Sequence, residues 1–135
     1  MICQLRRALS AACALLLLSI LACGSHGGAS RDISAADLLA RLGHGDAPFV
    51  LDVRTPEEYA TGHVPGAVNI PHDQVGTRLD EIGDRRAGDV VVYCERGGRA
   101  AKAAAVLDQA GFPHVAHLAG DMAGWRAAGL PVEKP

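Results

Sequence analysis

Residues 90–110 contain the feature that most constrains the fold: an apolar strand, a short glycine loop and an alanine-rich helix, in that order. The strand reads VVVY without polar alternation, which is typical of a strand covered on both faces. The loop CERGGR joins it to RAAKAAAVLDQAG, a predicted helix that ends at Gly111. A buried strand followed at once by a helix predicts a central strand in an α/β sheet.

Short strands and short helices alternate through the rest of the chain. We expect strands in PFVLDVR, GHVPGAVNIP and HVAHL, and helices at residues 35–42, in TPEEYATG and in DMAGWRAAG, with a marginal helix in TRLDEIG. Ser34 and Thr55 suit helix caps, and Pro56 suits a first helical position. The alternation predicts one α/β domain with a mostly parallel sheet, in which ligands bind at the carboxyl ends of strands. Cys94 lies at that end of the central strand.

The first residues predict export. Arg6 and Arg7 precede an apolar run of about 15 residues, which is short for a membrane-spanning helix and typical of a secretory signal peptide. The run ends in ILAC, which resembles a bacterial lipobox whose cysteine, Cys23, becomes lipidated. We therefore predict a signal peptide at residues 1–22, a lipid-tethered flexible linker at 23–32 and a domain at 33–135. The protein is expected in the bacterial periplasm or cell envelope.

Charge and cysteine content narrow the function classes. The predicted leader holds two of the 13 Lys and Arg residues and none of the 15 Asp and Glu residues, which leaves a formal charge of −4. That balance offers no basic surface for nucleic acid, so an anion site has to be built locally. Cys94 is the only cysteine after residue 23, so an internal disulfide is impossible in the domain. A lone thiol is either reactive or a small buried hydrophobe.

The loop after Cys94 favours the reactive interpretation. Gly97 and Gly98 permit backbone angles that turn amide N–H groups inward around an anion. The helix that begins near Arg99 adds its unpaired N-terminal amides and its positive end. Arg96 and Arg99 add charge at the rim or floor of the loop. These groups stabilise a thiolate relative to a thiol, so the sequence predicts a nucleophile surrounded by anion-binding groups.

Two thiolate chemistries fit such a loop. In sulfur transfer the thiolate attacks a sulfane sulfur and keeps it as a persulfide, whereas in phosphoryl transfer it attacks a phosphate ester. Cysteine phosphatases use a Cys-x5-Arg loop, whose arginine clamps two phosphate oxygens. Here the spacing from Cys94 to Arg99 is Cys-x4-Arg, and Ala100 stands at the phosphatase position. The smaller loop favours a single terminal sulfur.

At these residues the chain resembles a single-domain rhodanese-like protein, over residues 33–133. LDVRTPEEYATGHVPGAVNIP is similar to the family's N-terminal signature, VVVYCERGGRA to its active-site loop and LAGDMAGWRAAGLPVE to its C-terminal signature. The resemblance implies a three-layer α/β fold in which helices cover both faces of a mostly parallel, five-stranded sheet. It implies Cys94 as the sulfur-accepting nucleophile. It also implies a substrate pocket formed by the backbone amides of Glu95, Arg96, Gly97, Gly98 and Arg99.

The function implied is that of a membrane-tethered sulfurtransferase. It takes sulfane sulfur from thiosulfate, polysulfide or a persulfide and passes it from Cys94 to a thiophilic acceptor, which in vitro is cyanide across this family. No cofactor is needed, because the cysteine itself carries the sulfur. The alternative is an extracytoplasmic sulfur-relay or persulfide-binding module that acts only with a dedicated protein partner.

Other chemistries have less support. A phosphatase or arsenate reductase is disfavoured by Ala100 and by the lack of a resolving cysteine. His114 and His117 alternate on a predicted strand, but no carboxylate or cysteine completes a ligand set there, so no metal site is predicted. We expect a monomer.

Three further expectations concern side chains outside the loop. Arg54 and Glu58 are interpreted as a structural ion pair. His63 is interpreted as a turn histidine that bonds backbone groups, because a thiolate that is already ionised needs no base. Trp125 is expected to anchor the last helix in the core.

Two positions depart from the family's usual pattern. The last signature usually has two glycines after its leucine, where this chain has Gly120 and Asp121. Aspartate tolerates unusual backbone angles better than most residues, so we expect the turn to survive. Glu95 places an acid directly after the nucleophile, where it would repel a doubly charged donor such as thiosulfate. If its side chain points outward, it instead selects the partner or slows the reaction, and Arg96 offsets part of its charge.

Overall fold

A central parallel sheet organises residues 31–135, the part of the chain that the computed structural model describes. Its strands are β1 (Arg31–Ile33), β2 (Phe49–Asp52), β3 (Val68–Asn69), β4 (Val90–Tyr93) and β5 (Val115–Leu118). Their order across the sheet is β1-β5-β4-β2-β3, and every neighbouring pair is parallel. The predicted α/β fold is confirmed, with β4 in the centre.

Helices connect the strands on both faces. They are α1 (Ala35–Gly43), α2 (Pro56–Ala60), α3 (Gly98–Gln109) and α4 (Asp121–Ala127). Two 3-10 segments, Val75–Thr77 and Leu79–Arg85, stand where a marginal helix was expected. Ser34 and Thr55 cap α1 and α2 as predicted, because their side-chain oxygens accept backbone N–H groups of the first helical turn. No helix within residues 31–135 has the length and apolar character needed to cross a membrane.

The side chains of β4 alternate between the two halves of the core. Val90 and Val92 pack on one face with α3, whose small alanines allow the helix to approach the sheet closely. Val91 and Tyr93 pack on the other face with α1 and α4. Trp125 of α4 is fully buried there, and its indole N–H donates to the carbonyl of Pro131 at 2.8 Å. The expected role of Trp125 as a core anchor is confirmed.

The sheet begins two residues before the predicted domain start. The sequence assigns Arg31 and Asp32 to the linker at 23–32, but both pair with β5, opposite Ala116 and His117. Their side chains are exposed because β1 is an edge strand, so no apolar pattern marks it in the sequence. The predicted signal peptide, Cys23 and the other linker residues lie outside the described part of the chain, and those assignments stay predictions.

Candidate active site

Cys94 directly follows the central strand, at the carboxyl edge of the sheet, and is 2 % exposed. The backbone N–H of Gly97 donates to its Sγ at 3.0 Å. The N–H groups of Glu95, Arg96, Gly98 and Arg99 have no hydrogen-bond partner among residues 31–135. Donors of this kind around one sulfur stabilise negative charge on it. We call residues 94–99 the Cys94 loop.

Only glycine fits at position 97 of this loop. Gly97 has a φ of +98° and is the residue that precedes α3. A Cβ at this position would lie 3.2 Å from Oδ2 of Asp121 and 3.4 Å from Cε1 of His117. The loop therefore lies directly against these two side chains, and any larger residue would push it away from them.

The first turn of α4 holds the backbone of Cys94 on both sides. The carboxylate of Asp121 accepts the N–H of Cys94 at 2.9 Å, and the N–H of Met122 donates to the carbonyl of Cys94 at 3.0 Å. The N–H of Ala123 donates to the next carbonyl, that of Glu95, at 3.2 Å. The direction in which Cys94 leaves the sheet is thus set by a helix that lies 27 residues further along the chain.

Asp121 itself adopts the unusual backbone conformation that the sequence allowed, with a φ of +53°. It is 3 % exposed, and Nε2 of His117 lies 3.0 Å from each of its carboxylate oxygens. Nδ1 of His117 faces Asp32 at 3.8 Å. The sequence predicted that no carboxylate or cysteine completes a metal-ligand set with His114 and His117, and the turn after β5 brings one carboxylate, that of Asp121, beside His117. Within residues 31–135, no three His, Cys, Asp or Glu residues are grouped so as to hold a metal ion.

The side chain of Arg99 links the Cys94 loop to α2. Its guanidinium binds both carboxylate oxygens of Glu58, at 2.6 and 2.8 Å. Its hydrogen bonds to Glu58 raise the pKa of Arg99 above the ordinary value. The nearby sulfur of Cys94 adds a smaller rise. The same hydrogen bond from Arg99 lowers the pKa of Glu58 to about 2. Arg99 is thus a fixed positive charge near the sulfur of Cys94, and its ion pair with Glu58 links it to α2.

The predicted ion pair between Arg54 and Glu58 is wrong. Arg54 instead binds Asp52, with its Nη2 2.6 Å from Oδ2, and also donates to the carbonyl of Gly62 at 2.9 Å. Residues two apart leave the end of a strand on the same side, so Arg54 reaches Asp52 without leaving the core. Glu58 faces the loop from α2 and is left to Arg99. Sequence spacing alone does not show whether Asp52 or Glu58 is the partner of Arg54.

Glu95 is held by two arginines. Its carboxylate pairs with Arg126 of α4, and its second oxygen lies 3.7 Å from Nη1 of the buried Arg54. These residues border a cavity of about 870 Å³ between α2 and α4. Arg96, by contrast, is exposed and makes no ion pair with any residue from 31 to 135. The charge of Glu95 is therefore compensated, while that of Arg96 remains available at the rim of the loop.

His63 has the backbone-bonding role that the sequence predicts. Its Nδ1 lies 3.1 Å from the carbonyl of Tyr59, and its ring stacks on that of Tyr59 at 3.6 Å between centroids. Its backbone exchanges hydrogen bonds with Glu133 in an isolated antiparallel bridge. His63 thus closes the turn after α2 through backbone hydrogen bonds and ring stacking.

Comparison with known proteins agrees with this arrangement. Residues 34–128 match the model of the rhodanese-like domain family. A sulfurtransferase of Allochromatium vinosum is 36 % identical over 104 residues, which cover 77 % of this chain and 95 % of that protein. Thiosulfate sulfurtransferase 16 of Arabidopsis thaliana, a chloroplastic protein, is 36 % identical over 62 % of this chain and 78 % of its own length. The crystal structure of a rhodanese-related protein from Thermoplasma volcanium superposes with a TM-score of 0.69 at 31 % identity, over 78 % of this chain and 99 % of that chain. The fold, the Cys94 loop and these similarities together place the chain in the rhodanese-like family.

Proposed function

We propose that the chain is a sulfurtransferase that carries sulfane sulfur on Cys94. The donor is thiosulfate, polysulfide or a persulfide, and the acceptor is a thiophilic group, for which cyanide serves in vitro. Relatives named as sulfurtransferases, one of them a thiosulfate sulfurtransferase, support the reaction class. The alternative is a relay or persulfide-binding module that exchanges sulfur only with a dedicated protein partner.

The reaction needs no external oxidant or reductant. The Cys94 thiolate attacks the outer sulfur of thiosulfate, a new S–S bond forms at Sγ, and sulfite leaves with the electron pair of the broken S–S bond. Cyanide then attacks the terminal sulfur, the bond to Sγ breaks, and thiocyanate leaves while the thiolate is regenerated. The two half-reactions make a ping-pong cycle through a covalent persulfide.

The observation that carries this proposal is the donor set around Sγ. One N–H already points at the sulfur at 3.0 Å, and four neighbouring amides of the Cys94 loop have no partner among the described residues. Such donors stabilise both the attacking thiolate and the anionic terminal sulfur of a persulfide. The exposed Arg96 supplies positive charge where an anionic donor approaches.

Intact-mass measurement tests the first half-reaction. The purified protein is incubated with thiosulfate or polysulfide, with the Cys94→Ser variant alongside. We expect a gain of one sulfur atom on the wild type and none on the variant. Cyanide is then added and thiocyanate is measured, and release of one thiocyanate per loaded protein completes the cycle.

The other results separate the two proposals. Sulfur that loads on Cys94 but is not discharged by cyanide favours the relay module over the enzyme. Absence of loading from both donors contradicts both sulfur-carrying proposals and leaves a domain of rhodanese shape that binds without sulfur chemistry.

We further propose that Cys23 anchors the protein to the bacterial membrane after export. The proposal rests on the sequence ILAC at residues 20–23 and on the glycine-rich stretch that follows. Metabolic labelling with a fatty-acid analogue should mark the wild type and Cys13→Ser, and should fail to mark Cys23→Ser. Equal labelling of all three proteins, or of none, contradicts the anchor.

A further inference from the structure

We propose that Asp121 is a positioning residue for Cys94 and that His117 balances its charge, so that sulfur loading from an anionic donor depends on the protonation of His117. The inference rests on the proposed sulfurtransferase function and adds a regulator of the same site.

The positioning role follows from the hydrogen bonds of one peptide. Asp121 accepts the N–H of Cys94 at 2.9 Å, and the adjacent Met122 donates to the carbonyl of Cys94 at 3.0 Å. Asp121 maintains a φ of +53° to do so, in a region that non-glycine residues rarely occupy. The fully buried Trp125 anchors α4, the helix that makes both contacts. Loss of the Asp121 acceptor would leave a buried N–H group without a partner.

The charge of Asp121 has a single close counter-ion among the described residues. The side chain of Asp121 is 5 % exposed and that of His117 is 22 % exposed, with Nε2 3.0 Å from each carboxylate oxygen. A carboxylate only accepts hydrogen bonds, so Nε2 carries a hydrogen and donates to it. When Nδ1 is protonated as well, the pair is neutral. When Nδ1 is unprotonated, the pair carries one buried negative charge directly behind Gly97.

The other groups around His117 have weaker effects on the charge of the Asp121–His117 pair. Asp32 of β1 faces Nδ1 at 3.8 Å, but its side chain is 65 % exposed, so solvent screens its charge. On the loop side, Gly97 packs against the ring and brings no charge, while Cys94, whose N–H binds Asp121, brings the ionisable thiol whose loading is measured. Asp121, at the start of α4, is therefore the dominant charge that His117 meets.

The direction of the effect follows from electrostatics. A buried negative charge beside the Cys94 loop opposes both a thiolate and an approaching anionic donor. Neutral His117 should therefore slow loading from thiosulfate relative to protonated His117. We expect about a tenfold difference, the lower end of what a charge within a few ångströms does to an ionic equilibrium.

The test measures the second-order rate constant of loading by thiosulfate in four proteins: wild type, His117→Gln, Asp121→Asn and the double variant. Gln at 117 can still donate to Asp121 but never becomes charged. Asn at 121 keeps an acceptor for the Cys94 N–H and tolerates positive φ, so both variants should retain the fold. His114→Gln is the matched control, because His114 is exposed just before β5, at the opposite edge of the sheet.

The ratio of wild type to His117→Gln is expected to be about tenfold at an acidic pH, where the imidazole is charged, and smaller at an alkaline pH, where it is neutral. In the Asp121→Asn background, the His117→Gln change should alter the rate less than about twofold at both pH values. An equal ratio in both backgrounds overturns the proposal, because His117 would then act without Asp121. A ratio that does not change with pH overturns it as well.

A second readout does not depend on sulfur transfer. In ¹H–¹⁵N spectra of the resting protein in the Cys94→Ser background, which removes the ionisable thiol, the backbone amide of residue 94 should shift with pH as the charge of His117 changes. This shift should disappear in His117→Gln and remain in His114→Gln. If thiosulfate loads no protein but the amide still follows His117, the proposed function fails while the coupling stands. If the amide is insensitive to His117, the coupling itself is wrong.

Discussion

Two buried aspartates lie at the same edge of the sheet, and they differ in what balances their charge. Asp52, the last residue of β2, is fully buried and binds the guanidinium of Arg54 through both oxygens. Asp121, at the start of α4, is 3 % exposed and has the imidazole of His117 as its partner. A guanidinium stays protonated at every pH that a protein tolerates, whereas an imidazole loses its charge near neutral pH.

The difference separates a structural site from a responsive one. Asp52 also accepts the hydroxyl hydrogen of Tyr93 at 2.7 Å, so its surroundings are saturated with permanent donors. Asp121 instead accepts the N–H of Cys94, which places the Asp121–His117 pair, whose net charge changes with the protonation of His117, beside Cys94. The same residue type thus fixes the core in one place and influences reactivity in the other, because of the partner that the fold supplies.

Removal of Arg54 should have the largest effect on stability. Arg54→Met leaves Asp52 buried without a counter-ion, and breaking a buried pair in this way costs about 3–5 kcal/mol of unfolding free energy. Urea denaturation measures the loss. Arg41→Met is the control, because Arg41 pairs with Asp89 at the surface, where such pairs contribute about 1 kcal/mol or less. Equal losses of unfolding free energy in Arg54→Met and Arg41→Met would contradict the structural role of the Asp52–Arg54 pair.

Tyr93→Phe should cost less, about 1–3 kcal/mol. Burial, followed by the charge of Asp52, raises the pKa of Tyr93, so its hydroxyl stays neutral and donates to Asp52. The same oxygen accepts the N–H of Val64 at 3.1 Å. Phenylalanine has no hydroxyl, so the carboxylate of Asp52 and the N–H of Val64 each lose one hydrogen bond. Tyr59→Phe, which removes one half-buried hydrogen bond to the carbonyl of Ala67, should destabilise the protein less in the same denaturation assay.

Glu58→Gln extends the comparison to the Arg99–Glu58 pair. The carboxylate of Glu58 can be protonated at a pH that an experiment can reach. Arg99 lowers the pKa of Glu58 to about 2 from its ordinary value of 4.5. The resulting stability is therefore fully present above about pH 4.5 and is lost as pH falls toward about 2. Because 34 % of the Glu58 side chain is exposed, solvent screening limits the gain to about 1 kcal/mol. The stability difference between wild type and Glu58→Gln should shrink over that interval, and a constant difference would contradict the assignment.

The smallest effects are expected at Glu95. Since Arg126 and Arg54 already compensate its charge, Glu95→Gln should change thiosulfate loading by less than about twofold. Arg126→Met should slow loading about threefold at low salt by leaving more of that charge uncompensated, and the effect should fade at high salt. The double variant should recover the wild-type rate. A large effect of Glu95→Gln alone would mean that the carboxylate acts on the donor directly.

Local patterns predicted most of the fold, and they failed where partners come from distant segments. The caps at Ser34 and Thr55 and the helix after the Cys94 loop follow from residues within one turn of each other. The short strand β1 was missed because an edge strand with exposed side chains carries no apolar signal. Glu58 was assigned to Arg54, four residues away, although its partner Arg99 lies 41 residues along the chain.

The amino-acid sequence by itself determined the order of strands and helices from α1 onward, the place of Cys94 at the end of the most apolar strand and the glycine loop that follows it. These features depend on backbone preferences and apolar periodicity, which act over a few residues. Only the tertiary structure decided which charges meet: Arg54 with Asp52, Arg99 with Glu58, and Asp121 with His117 and the Cys94 peptide. Charge pairing depends on separations of a few ångströms, and those are set by how the parallel strands align and how α2 and α4 pack against the Cys94 loop.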